Sequence, residues 1–217
     1  MDNNADHVKG NRFYWLDSLR TMPMVRLIGN AGLSFLSKIS SGYWNLFDPT
    51  NDFTAIHRII LEVLPLDKLH DRYFFESDML FRLNVLQAVV VDVPMDSYYG
   101  DERSNLNIKK ALLIFTWLHL RCFIKRLFYN YFLRNFSIAS INLVLGVGML
   151  VFGLGFGAIK WSENLITGLD ATPGTVMLAG LTMIIGTQLI LSFLAYDIEH
   201  VPSIPIHPRL PNYDGKG

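Results

Sequence analysis

Residues 135–159, NFSIASINLVLGVGMLVFGLGFGAI, and residues 171–196, ATPGTVMLAGLTMIIGTQLILSFLAY, contain no charged side chain. Each run is about 25 residues long, and roughly 20 apolar residues suffice to cross a bilayer as a helix. The polar stretch 160–170 between them makes the pair read as a transmembrane hairpin, with spans at about 136–159 and 174–196. The hairpin occupies residues 136–197, and residues 198–217 follow it as a tail.

Charge around the hairpin is one-sided. No Asp or Glu occurs between Arg103 and Ser162, whereas Arg103, Lys109, Lys110, Arg121, Lys125, Arg126, Arg134 and Lys160 are basic. The connecting loop holds only Lys160, Glu163 and Asp170. Basic residues concentrate on the cytoplasmic side of membrane spans, so the amino-terminal part and the tail are expected in the cytoplasm, on the inner membrane, and the loop outside. The overall net charge of +0 conceals this asymmetry. A single cysteine, Cys122, permits no intrachain disulfide. Residues 1–12 lack the apolar core of a signal peptide. Ala5 to Arg12 reads as the end of a strand entering a loop, so a preceding segment is expected.

Upstream of the hairpin, residues 1–107 read as mixed α/β. Apolar positions Leu19, Met22, Val25, Ile28, Leu33, Leu36 and Ile39 keep helical spacing, and Gly42 closes that segment. Tyr43 to Phe47 is expected as a short strand before the turn Asp48-Pro49-Thr50-Asn51. Thr54 to Leu64 and Tyr73 to Gln87 are expected as helices, and the β-branched run Ala88 to Pro94 as a strand. Residues 108–135 interleave aromatic and aliphatic residues with basic ones only. Two readings stand for that segment: a helix lying in the membrane interface, or one packed on the soluble part. Basic residues interleaved with Leu and Phe beside a span argue against nucleic-acid binding, and uncharged spans offer no ion path.

Five short motifs follow in order: Lys9-Gly10-Asn11-Arg12-Phe13, Arg26-Leu27-Ile28-Gly29-Asn30, Asp48-Pro49-Thr50-Asn51-Asp52-Phe53, Phe75-Glu76-Ser77-Asp78-Met79 and Tyr99-Gly100-Asp101-Glu102-Arg103. Each is weak alone. As a series they resemble the second half of the inverting family-2 glycosyltransferases that load sugars onto polyprenyl phosphates, the dolichol-phosphate mannose synthase-like group. The resemblance covers residues 5 to about 207 and implies part of a GT-A domain followed by interface helices and a two-helix hairpin.

The resemblance implies transfer of a sugar from a nucleotide-sugar to a lipid phosphate. Arg12, Arg26 and Asn30 would grip the acceptor phosphate, for which an arginine fork is suited. Asp78 would face sugar and acceptor as a catalytic carboxylate. Asp52 is either an active-site carboxylate or a turn residue. Asp48 shapes the turn or touches the donor, and Arg103 stands in for an arginine that relatives carry near the last motif. Mg²⁺ or Mn²⁺ is expected for the complete enzyme, but its D-x-D motif and the nucleotide-binding half lie outside this chain, which is expected to be inactive alone. The implied partners are a polyprenyl-phosphate lipid, a nucleotide-sugar bound by the missing half, the membrane, and further copies of the chain through the hairpin. The alternative is a membrane-anchored remnant or scaffold subunit without catalysis.

Overall fold

The computed structural model describes residues 4–14, 24–71, 74–95 and 108–210, apart from the side chains at positions 25, 26 and 108–113. The chain forms two compact units, one of Met1–Asn130 with Val201–Gly217 and one of Tyr131–His200.

In the first unit, β1 (His7–Asn11) is the middle of a three-stranded mixed sheet. It pairs antiparallel with β2 (Thr54–Ile56) and parallel with β3 (Val90–Pro94). Lys9 lies opposite Thr54 on one side and Asp92 on the other. The carboxyl ends of β1 and β3 therefore share one sheet edge, and the chain enters antiparallel β2 at that same edge. This brings the turn 48–53 to the strand ends.

Helix α1 (Met24–Ser41) ends where Gly42 adopts φ +81°, a left-handed conformation that glycine takes without strain. The expected strand Tyr43–Phe47 is instead a series of turns. Tyr43 is aromatic because it anchors the core: it is fully buried, and its hydroxyl donates to the Ala88 carbonyl at 2.6 Å. The expected helix at Thr54–Leu64 divides. Its first three residues complete the sheet, and the His57 side chain accepts from the Ile59 N–H to start α2 (Arg58–Val63). Helix α3 (Phe75–Leu86) contributes Met79, Leu80 and Leu83 to the core around Tyr43, Ile60 and Val90.

Helix α4 (Ile108–Phe128) continues as a π-helical turn, Tyr129–Arg134. One face of this helix packs on the rest of the first unit. His119, Cys122 and Arg126 recur at helical spacing and are buried against α1 and α3. The Arg126 guanidinium donates to the Ile39 carbonyl at 2.9 Å, and a Cβ at Gly42 would stand only 2.6 Å from it. On the other face Ile114, Trp117, Ile124 and Phe128 are exposed.

The stretch after the hairpin is more than a tail. Residues 201–210 return to the first unit, where buried Asp6 accepts from the backbone N–H groups of Ile206 and His207 and from His207 Nδ1 at 2.7 Å. His207 also stacks on His57 at 4.3 Å. Burial pushes the Asp6 carboxyl up, but hydrogen bonds from Val89, Ile206 and His207 outweigh it and hold it below its ordinary value.

The second unit is an antiparallel pair, α5 (Ile138–Thr167) and α6 (Pro173–Glu199), both long and apolar enough to span a membrane. Ser137 and Ser140 form a capping box at the start of α5, and Thr172 with Pro173 starts α6. The two helices approach closely where a side chain is lacking. A Cβ on Gly186 would meet the Leu150 backbone nitrogen at 2.9 Å, and one on Gly153 would meet Met183 and Thr182 at 2.7 Å. Asn142 joins the helices by donating to Ser192 at 3.2 Å. Beside it, the Tyr131 hydroxyl donates to buried Asp197 at 2.5 Å.

Candidate functional site

Ligands of open sheets containing parallel strands bind outside the carboxyl ends of those strands. Here that edge collects Lys9, Arg12, Asp48, Asn51, Asp52, Glu76 and Asp92. Lys9 is the centre. Its side chain is fully buried and its ammonium donates to the Asn51 carbonyl at 2.7 Å. Burial pulls the Lys9 ammonium below its ordinary pKa, while the charges of Glu76, Asp48, Asp52 and Asp92 act to restore it. A buried cation is tolerable only when so compensated.

The turn is fixed by its own side chains. Asp48, fully buried, takes both arms of the Arg12 guanidinium, from Nε at 2.7 Å and from the terminal nitrogen at 3.1 Å. Asn51 donates to the Gly10 carbonyl at 2.6 Å and accepts from the Phe53 N–H at 3.2 Å. Asp92 accepts from the Phe47 N–H at 2.5 Å; burial, with the nearby Asp48 charge, raises its pKa. Thus Arg12 and Asp48, assigned by resemblance to acceptor and donor, are partners of each other.

Glu76 and Asp52 are two further carboxyl groups of the edge. Glu76 is half-buried at the start of α3, and Asp52 is exposed at the end of the turn. Burial raises the Glu76 pKa first of all, and both the Asp52 charge and a hydrogen bond shared with Asp52 raise it further. The Lys9 charge opposes them. The Glu76 carboxyl therefore keeps its proton to higher pH than an isolated carboxyl does.

Asp78, the carboxylate named from sequence, lies elsewhere. Two residues along a helix turn the side chain to the far face. There it receives Nε and a terminal nitrogen of Arg82, each at 3.1 Å, and the His70 N–H at 2.9 Å. It lines a cavity of about 330 Å³ with Phe74, Leu118 and Cys122, separate from the strand edge. Cys122 is no nucleophile: burial, then the Asp78 charge, pushes its thiol up to about 12. Asn30 is half-buried on α1. Arg26 belongs to the same helix, but its side chain is outside the described residues, as is all of Arg103.

Lys9, Glu76 and Asp92 escaped the sequence reading as functional residues. Lys9 and Glu76 lay within quoted motifs. The missing information was which member of Glu76-Ser77-Asp78 faces the strand ends, and only the rotation of α3 against the sheet supplies it. Among the described residues no three His, Cys, Asp or Glu side chains converge to hold an ion. No protein-family model, curated protein or solved structure matches this chain.

Proposed function

We propose that the chain is the acceptor- and membrane-side part of an inverting glycosyltransferase that moves a sugar from a nucleotide-sugar onto a polyprenyl phosphate. The observation that carries the reading is the gathering of Asp48, Asp52, Glu76 and Asp92 around buried Lys9 at the carboxyl ends of β1 and β3. The ordered motif series supports it, as do the two helices fit to span a membrane. In this reading the attacking oxygen is already anionic. The edge orients the sugar for that attack, and positioning supplies much of the rate of such a transfer. Asp52 and Glu76 bind sugar hydroxyls, and Lys9 offsets their charge. In this reading the nucleotide and any metal are held by a donor-binding partner.

The membrane placement follows from connectivity and charge. Residues on both sides of the hairpin belong to one compact unit, which supports a topology with both hairpin ends on one side of the bilayer. The basic excess before the first span supports the cytoplasm, at the inner membrane, as that side.

One observation favours a second reading. A carboxyl with a raised pKa is what a neutral acceptor requires, since a hydroxyl must lose a proton as it attacks, whereas a phosphate does not. The acceptor would then be a hydroxyl of a lipid-linked sugar. The deciding experiment supplies labelled nucleotide-sugar to membranes containing this chain and a donor-binding partner, then extracts the lipids. Label on polyprenyl monophosphate supports the first reading, and label on a preformed lipid-linked glycan the second. Absence of any lipid-borne label that depends on this chain would leave a scaffold subunit and end both.

A further inference from the structure

The cavity on the far side of α3 has a charge pattern that the strand-edge site does not explain. Its Asp78 is consumed by Arg82 and the His70 backbone. Arg82 also donates to the Lys68 carbonyl. With that pair neutralised, Lys68, Arg121 and Lys125 remain on the rim against the single carboxylate of Asp71. Among the described residues neither Arg121 nor Lys125 makes an ion pair. Phe74 and Leu118 give the wall an apolar floor. The volume, about 330 Å³, suits a small polar group rather than a large ligand.

The neighbourhood says what that group belongs to. Arg121 and Lys125 are four apart on α4, so they stack along one line of the helix. That line separates the buried face, His119, Cys122 and Arg126, from the exposed apolar face, Ile114, Trp117, Ile124 and Phe128. A single ligand reaching across the line would place an anion in the cavity and a hydrocarbon chain along the apolar face. Ten positions after Phe128 the chain enters α5, long and apolar enough to cross a membrane, so α4 is tethered close to a bilayer.

We propose that this cavity binds the phosphate headgroup of an anionic glycerophospholipid, with its acyl chains lying along the Ile114–Phe128 face of α4. The site is independent of sugar transfer and needs only that the hairpin be in a membrane. Juxtamembrane cations attract anionic headgroups by about 1 kcal/mol each, so two on the rim give a preference of roughly tenfold or more over a neutral lipid. Lys68 and the shape of the cavity make that preference a defined stoichiometry rather than a diffuse attraction.

The test uses the full chain in nanodiscs of phosphatidylcholine with a minor fraction of phosphatidylglycerol. Lipid retained on the released protein is then counted by native mass spectrometry. The wild type is expected to keep about one phosphatidylglycerol per chain, and the Arg121→Gln/Lys125→Gln variant to lose that preference by about tenfold. Both side chains are exposed, so the variant should fold; Lys125→Arg should retain the lipid, and Lys160→Gln, in the last third of α5, should leave it unchanged. Glu76→Gln should also leave it unchanged, which separates this site from the strand edge. Retention by the double variant would overturn the proposal. So would displacement of the lipid by millimolar glycerol phosphate, because the cavity would then recognise a free phosphate without its chains.

Discussion

Glu76 and Asp78 leave the same turn of α3 and meet opposite fates. Asp78 is paired: the Arg82 guanidinium and the His70 N–H donate to its carboxylate, and the guanidinium offsets its charge. Glu76 is under-compensated. Burial and then Asp52 push its proton affinity up, and a backbone hydrogen bond at Glu76 with the Lys9 charge only partly restores it. A paired carboxylate contributes order, whereas an under-compensated one retains chemistry to perform. Perturbed carboxyl groups cluster at functional sites for this reason, and structural ion-pair networks perturb pKa values as well. The lesson is that charge alone does not identify a reactive residue; the balance of its compensation does.

The contrast breaks most sharply under substitution. Glu76→Gln should lower transfer by about 10²- to 10⁴-fold, the range lost with a proton-transferring or acceptor-orienting group, while the denaturation midpoint barely moves. Asp78→Ala should do the reverse. Removing one partner of a buried pair strands the other, costing about 3–5 kcal/mol, and activity should fall only as far as the folded population does. Paired measurements of lipid-linked product and urea midpoint check both. Equal losses of activity in the two variants, at equal stability, would erase the distinction.

Acid should weaken the two sides of α3 together. His7 lies beneath the strand edge, where burial and then the Lys9 charge hold its pKa down at about 3. His119 packs edge-on against Phe74 at 4.9 Å, and burial holds it at about 4. Both imidazoles therefore stay neutral in the folded protein and protonate in the unfolded chain below pH 6.5. Stability is complete above pH 6.5 and falls as pH drops toward each folded value, by about 1.4 kcal/mol per pH unit for each histidine. Below pH 3.8 the depressed Asp6 carboxyl adds its own loss, and the 201–210 segment should be released. Urea midpoints of the reconstituted chain between pH 8 and pH 4 read the first effect. His119→Gln should flatten the slope, and an unchanged slope would show that His119 is not held neutral.

Much of this architecture is legible in residue order because it rests on local patterns. The hairpin needs only uninterrupted apolar length, and Ser137, Thr172 and Pro173 mark its helix starts. β3 and α3 announce themselves by β-branching and by helical spacing. The failures are all long-range. Tyr43 reads as strand because aromatics favour strands, yet its place is set by the Ala88 carbonyl far along the chain. Thr54 to Ile56 fits a helical period but is claimed by β1. The segment after the hairpin offers no pattern at all, and its fold is dictated by Asp6 some 200 residues upstream. The candidate site follows the same division. Its motifs are visible, but the choice between Glu76 and Asp78 depends on how α3 is rotated over the sheet.

The smallest expected effect is also the most specific, because it has opposite signs at two neighbours of Glu76. Asp52 raises the Glu76 pKa through its charge and the shared hydrogen bond, and Lys9 lowers it. Asp52→Asn should therefore move the acidic limb of the pH–rate profile to lower pH, since Glu76 gives up its proton more easily. Lys9→Gln should move the limb to higher pH, since nothing positive then steadies the ionised form. Asp52 is exposed, so its variant should keep its stability; Lys9 is buried, so its variant should lose some. A merely structural role for the pair would change amounts of active protein and leave the position of the limb alone. Limbs that stay still, or shift in the same direction in both variants, would mean that Glu76 is not the titrating group, and the contrast with Asp78 would no longer locate the chemistry.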